Sequence, residues 1–354
     1  MMRYLLTVPV IVLAALPAGA VVTPDTAVSE QPPTGFWEMD WSFNYKYKGS
    51  SAVAIAPNWL LTAHHVADDA PVWSMTVGET IYTEVDRVYH TPAADPSNTK
   101  TADLALVRVD NELPGWYDIY TGTYPLSPRR DAMLIGHGYA GTVTNSSFNW
   151  STGADRIRRW GSQKVDEEYF ESFGGGTFQF WGLRMMFSRT DGYATEYESG
   201  AALFDSGGAT FVKDGDDWKV AGINTNVYGS SPAYTGTLAV SVRKYKLWID
   251  DTLAWYATVV PGDADHDGDV DVNDLSVVAD NWGATSGKTW WDGNFDGDGD
   301  VDINDLALLA ANWNGTVADY LAAVSGSAIP EPASVMVLVA GAALLMLRRR
   351  RRHE

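Results

Sequence analysis

Between residues 46 and 250 the apolar positions fall in short runs, each closed by Gly, Asn, Asp or Pro. Ser51–Ala56, Val72–Val77, Leu104–Val109, Ala132–Ile135, Gly176–Phe180, Ala209–Val212 and Val220–Asn224 are runs of this kind, of strand length and β-type composition. A helical period first emerges at about Val242–Tyr256, which predicts a closing helix. The region is therefore expected to be all-β with a terminal helix, its two halves dividing near 120–150, where Gly and Asn-Ser-Ser dominate. Two further apolar helices are expected at Leu275–Trp282 and Leu306–Trp313, each ending in the same Asn-Trp pair.

The two ends follow a different pattern. Residues 1–20 carry Arg3, an apolar run from Tyr4 to Leu16, and Ala18-Gly19-Ala20, the pattern of a secretory signal cleaved after Ala20. Residues 21–45 are polar and punctuated by Pro24, Pro32 and Pro33. Residues 329–354 read Ile329-Pro330-Glu331-Pro332, an uncharged stretch from Ala333 to Leu347, and five arginines, Arg348 to Arg352. A helix of that length reaches about 22 Å, short of the roughly 30 Å hydrocarbon core without snorkelling flanks. The arginines would stay on the cytoplasmic side. This tail closely resembles the PEP-CTERM sorting signal of Gram-negative bacteria. The resemblance implies a transmembrane helix that anchors the chain transiently in the inner membrane, processing by sorting machinery there, and delivery to the cell surface or extracellular matrix.

A formal charge of −20 argues against nucleic acid and anionic membranes as partners. The chain has no cysteine, so an exported domain must fold on its core alone; 15 Trp and 17 Tyr suit that demand.

Three short segments carry the candidate chemistry. Leu61-Thr62-Ala63-His64-His65-Val66 comes first, Thr101-Ala102-Asp103-Leu104-Ala105-Leu106 second, and Asp205-Ser206-Gly207-Gly208 third. His, Asp and Ser, in that order along the chain, would supply a base, an orienting carboxylate and a nucleophile. His64 competes with His65 for the base, and Asp95 and Asp110 compete with Asp103 for the carboxylate.

Residues 46–250 resemble the trypsin/chymotrypsin family, which implies a double six-stranded β-barrel with the active site in the cleft between the barrels. In that family the histidine follows Thr-Ala-Ala, which lands on His65, and Asp103 matches an Asp-Ile-Ala-Leu motif. The resemblance makes Ser206 the nucleophile of a serine endopeptidase that needs no cofactor for its chemistry and acts on protein or peptide substrates. It places the oxyanion hole at the backbone N–H groups of Ser206 and Phe204. Phe204 stands where the family nearly always has glycine, and a side chain there restricts the backbone. Gly200 falls at the base of the primary pocket, with Thr225 and Val227 on its wall and mouth. Small or medium apolar side chains are then expected before the scissile bond. Cleavage after Ala20 would expose Val21, whose ammonium could reach Asp205. The competing class is a catalytically impaired protease-like binding or scaffold protein of the cell surface, and a glycosidase is disfavoured because no acid pair stands out.

Residues 261–315 hold a different pattern, repeated after 31 residues. Asp263, Asp265, Asp267, Asp269 and Asp274 recur as Asn294, Asp296, Asp298, Asp300 and Asp305, with Gly268 and Gly299 at the sixth position. Oxygen donors at positions 1, 3, 5, 7, 9 and 12 around a glycine turn follow the logic of the EF-hand calcium loop. With Asp at the last position the pair resembles a type I dockerin, a small α-helical module. The resemblance implies two Ca2+ ions and either a cohesin-like protein partner or a spacer role.

Overall fold

The computed structural model describes residues 21–315, apart from 69–71, 96 and 153–155. The expected signal (1–20) and sorting tail (329–354) lie outside the described residues. Among those described, no helix is long and apolar enough to cross a membrane.

After a short helix, α1 (Thr26–Ser29), the first sheet is built from β1 (Asn44–Tyr47), β2 (Ser50–Ala56), β3 (Trp59–Thr62), β4 (Ser74–Val77), β5 (Thr80–Tyr89) and β6 (Ala105–Val109). One helical turn, α2 (His64–Ala67), follows β3. The strand order is β1-β2-β3-β6-β5-β4, and every pair is antiparallel. β3 is buried along its whole length, so its residues Trp-Leu-Leu-Thr form an unbroken apolar run rather than an alternating one.

The second sheet has nine strands, not six. They are β7 (Arg130–Gly136), β8 (Gly141–Val143), β9 (Phe148–Trp150), β10 (Arg159–Val165), β11 (Glu167–Phe173), β12 (Phe178–Met186), β13 (Ala209–Asp214), β14 (Asp217–Ser230) and β15 (Ala233–Ser241). The main path runs β10-β7-β13-β14-β15-β12-β11, and the β8–β9 hairpin attaches to β15. β11 escaped the sequence pattern because it is an edge strand whose side chains are only half-buried or exposed. The two sheets curl into half-barrels that share a continuous core, in which Leu60, Leu61 and Leu106 of the first meet Ile135, Phe211 and Val220 of the second.

The halves divide at residues 110–129, earlier than the expected 120–150, because β7 already pairs with β10 and β13. Gly136 ends β7, and a side chain there would overlap the Asp205 carboxylate.

The closing helix forms as a 3-10 turn, Val242–Tyr245, running into α3 (Lys246–Thr258). It buries Trp248 and Ile249. An indole buries about 200 Å², so Trp248 contributes about 5 kcal/mol of apolar transfer energy before ordering costs. Beyond it, α4 (Val272–Asn281) and α5 (Ile303–Asn312) follow the two acidic loops. Asp271 and Asp302 cap these helices, each accepting from the second N–H beyond it, in reciprocal boxes with Asp274 and Asp305. Val270, Val278, Trp290, Phe295, Val301 and Leu309 form a small separate core.

Candidate active site

His64 and His65 open α2, where consecutive side chains diverge by about 100°, so only one of them can face the cleft. His65 donates its backbone N–H to Asp103 Oδ1 at 3.0 Å and sets Nδ1 2.7 Å from Asp103 Oδ2. A carboxylate only accepts, so Nδ1 carries the proton and Nε2 is left as a base. His64 instead stacks on Tyr89 at 4.4 Å and lies 5.0 Å from Phe178. Burial pushes its imidazole below the ordinary pKa, which suits a neutral packing residue.

Asp103 is fully buried, held between Ala102 and Leu104, which are also fully buried, just before β6. The competing carboxylates go elsewhere. Asp95 pairs with His90 Nε2 at 3.3 Å and takes Asn98 Nδ2 at 2.6 Å. Asp110 accepts Thr83 N at 2.8 Å in a turn of the first sheet.

Thr225 joins the two half-barrels. Its hydroxyl donates to Asp103 Oδ2, while its carbonyl accepts from Ser206 Oγ at 3.5 Å. β14 shifts register between Asn224 and Asn226, and such a bulge re-aims the residue it contains. The expectation for Thr225 concerned the strand that lines the pocket; its hydroxyl is turned to the carboxylate. Ser206 Oγ makes no hydrogen bond to His65.

The loop carrying Ser206 is pinned from several sides. Ser206 O accepts Ser51 N at 3.1 Å, Phe204 O accepts Ser51 Oγ at 3.3 Å, and Leu203 O accepts Tyr139 N at 3.0 Å. Gly207 has φ 80°, and a Cβ on it would overlap Ser51 O, so glycine is required. Phe204 adopts φ 77°. The restriction expected of a side chain at this position is therefore met by a left-handed backbone, at a cost of about 1–2 kcal/mol. The ring is held by Tyr139, edge-on at 5.2 Å, and by the Arg156 guanidinium at 4.2 Å. With their carbonyls engaged, the N–H groups of Phe204 and Ser206 have no partner among the described residues.

Asp205 is completely buried and accepts Ala202 N at 2.7 Å, Gly138 N at 2.7 Å and Val21 N at 3.1 Å. Burial pushes its carboxyl up to about 6, against the pull of these donors. Val22 pairs with Gly200 through N–H···O bonds of 2.9 and 3.0 Å. Gly200 faces the ring of Phe148, which occupies the space a side chain at 200 would fill. Val227 packs against the same cluster, beside Phe187 and Ala202. Glu198 lies out of this register, buried, accepting Ser188 N and Thr195 N at 3.1 and 2.9 Å. Sequence reasoning missed Phe148, whose role depends on a β9–β15 contact far along the chain. It also missed Phe173, whose ring lies edge-on to His65 at 5.5 Å.

In the acidic repeats, Asp263, Asp265 and Asp267 converge, as do Asp269, Asp271 and Asp274, and Asp300, Asp302 and Asp305, with donor atoms within 4.8 Å in each group. Asp271 and Asp302, at the ninth positions, thus join the candidates. Asp263 accepts Gly268 N at 3.2 Å, closing the loop from position 1 to 6, and Gly268 and Gly299 have φ 96° and 92°. Asp263 Oδ1 and Asp300 Oδ1 are buried without a hydrogen-bond partner among the described residues. Burial first, with neighbouring carboxylates adding, holds Asp274, Asp296 and Asp305 above the ordinary carboxylate range. Crowded oxygen donors with orphaned lone pairs fit a hard divalent cation. Asn294 Oδ1 accepts Gly297 N at 2.9 Å, and Asp298 N donates to Asp296 Oδ1 at 3.2 Å.

A family model described as Trypsin matches residues 28–249. No curated protein matches the chain. Among solved structures it is similar to Rv3671c from M. tuberculosis H37Rv, in the inactive form of a serine-to-alanine mutant: 12% identity, 58% of this chain and 82% of that chain covered, TM-score 0.38. The inactive form of the Rv3671c protease gives 14% identity, 59% and 86% coverage and the same TM-score, 0.38.

Proposed function

The chain belongs to the trypsin family, and on that premise we propose that it is a serine endopeptidase working through His65, Asp103 and Ser206. The observation that carries this reading is the 2.7 Å contact of His65 Nδ1 with buried Asp103, tied to Ser206 through Thr225. Ser206 Oγ adds to the scissile carbonyl while His65 Nε2 takes its proton. The carbonyl oxygen, now an oxyanion, is received by the N–H groups of Phe204 and Ser206. His65 then delivers the proton to the departing amine, leaving an acyl-enzyme. A water molecule repeats the sequence, giving its proton to His65 and its oxygen to the acyl carbon; Ser206 recovers the proton on release. Asp103 holds the ring and its tautomer throughout.

Substrate preference follows from Phe148. Its ring under Gly200 raises the floor of the primary pocket, so Gly, Ala or Ser before the scissile bond fits and larger side chains do not. Activation follows from Val21. Cleavage after Ala20 converts its N–H, 3.1 Å from Asp205, into an ammonium that neutralises a carboxylate next to the nucleophile.

The surrounding modules give this enzyme its place. Residues 1–20 export it; the 329–354 tail anchors it transiently in the inner membrane of a Gram-negative bacterium and passes it to the surface. Asp263, Asp265, Asp267, Asp269, Asp271 and Asp274, with their counterparts in the second loop, hold two Ca2+ ions in a dockerin-like module. Bound calcium neutralises the clustered carboxylates and so couples metal binding to folding of the loops.

A peptide-binding protein without catalysis is the second reading, favoured by one observation: Ser206 Oγ bonds Thr225 O rather than His65. Catalytic hydrogen bonds often close only when substrate is bound. Labelling of the exported protein with a fluorophosphonate in calcium separates the two. Labelling lost in Ser206→Ala and His65→Ala supports the enzyme; a folded protein that never labels supports the binder.

A further inference from the structure

We propose that the second calcium loop and the first are docked onto the protease domain, so that calcium binding stabilises the half-barrel that carries His65 and Asp103. The inference rests on the calcium reading above and extends it to an intramolecular partner.

Two contacts make the dock. At loop 2, Gly297 lies against the backbone of Val85, so closely that a Cβ on Gly297 would overlap Val85 O and C. Val85 is the bulge of β5, where the register with β6 shifts between Glu84 and Asp86. A bulged residue is left out of the ladder and projects from it, which gives the module a surface to meet. At loop 1, the rings of His266, Trp255 of α3 and Trp291 form a cluster, His266 lying tilted at 4.2 Å from Trp255 and 4.4 Å from Trp291. The next residue of α3, Tyr256, packs on Trp59 of β3 at 4.8 Å and donates its hydroxyl to Asp86. A cavity of about 750 Å³ lies between the contacts, with Arg87 and Arg108 on the protease side and Asp296 and Asp298 on the other. Both walls carry both signs, since Glu84, Asp86 and Asp110 stand with the arginines and Lys288 with the aspartates, so the two contacts, not net charge, define the dock.

The route to the active site is short. β5 pairs with β6 up to Tyr89 opposite Ala105, and Asp103 lies two residues before that pair. Loop 2 meets Val85 in the tight conformation set by Gly297 at φ 79° and Gly299 at φ 92°. Calcium favours that same compact loop, because its carboxylates repel one another without a cation. Two events that select one conformation are linked: the ion must protect β5, and the dock must raise calcium affinity. The Gly297 face of loop 2 is then committed to this chain and closed to a second protein.

Hydrogen exchange of the full secreted chain, read by mass spectrometry in calcium chloride and in EGTA, tests this, with calorimetry counting bound ions. Calcium is expected to slow exchange about tenfold or more in residues 80–89 and 246–258, as well as in 262–315. Trp255→Ala and Trp255→Leu, which remove the ring against His266 and touch no calcium donor, are expected to keep the ions while losing the slowing in 80–89. Protection confined to 262–315 in the unsubstituted chain with ions bound overturns the coupling and leaves the calcium reading standing. Slowing of 80–89 that persists in both variants also overturns it. Absence of any calcium heat overturns both.

Discussion

The contact between Val21 and Asp205 makes catalysis depend on where the chain begins. With an amide at Val21, the buried Asp205 carboxyl is pushed up to about 6 from an ordinary value near 3.8. Two pH units correspond to about 3 kcal/mol spent at neutral pH to hold that charge without a counterion. An ammonium at 3.1 Å supplies about 5 kcal/mol of attraction at an effective dielectric of 20. Desolvating the ammonium consumes a few kcal/mol of this, which leaves about 2–3 kcal/mol, or roughly 30- to 150-fold in the population of the ordered 203–206 loop. Proteins beginning at Val21 and at Gly-Ser-Val21 are therefore expected to differ by about that factor in fluorophosphonate labelling rate at pH 7.5. In the extended chain the folded pKa of Asp205 lies above its unfolded value. Its contribution to stability is complete below about pH 4 and lost as pH rises through about 6. The stability gap between the two proteins should then widen from pH 4 to 6 and hold steady above. Equal labelling rates and parallel pH–stability curves would refute the ion pair as the activating event.

Phe204 already holds the left-handed backbone, so Phe204→Gly should leave labelling within about threefold; Phe204→Pro, locked near φ −65°, should lower it at least a hundredfold. Glu198 is pushed up to about 7 by burial, so its contribution to stability is complete below its ordinary 4.5 and lost as pH rises through 7. Urea unfolding of the wild type against Glu198→Gln should show a stability difference that changes by about 3 kcal/mol between pH 4 and 8. Phe148→Ala should open the pocket floor, and a peptide library should show preference moving from Ala toward Leu or Phe by about tenfold or more.

Local sequence determined what depends on neighbouring residues alone. The apolar runs that became β2, β6 and β13 were legible because both faces of those strands are buried. The order of the His, Asp and Ser segments was legible because each is a short contiguous motif, and so was the glycine register of the acidic loops. Contacts between distant residues were not legible. One helical turn turned His65 toward Asp103 and His64 toward Tyr89, a choice the adjacent pair of histidines leaves open. A bulge in β14 sent the Thr225 hydroxyl to Asp103. β5 and β11 hid because most of their side chains are half-buried or exposed, so charged residues interrupt their apolar runs. Phe148 meets Gly200 and Gly297 meets Val85 only through packing of segments 52 and 212 residues apart, whereas the approach of Val21 to Asp205 was expected from the family resemblance. Such meetings are set by shape and burial across the whole core, which no window of the chain contains.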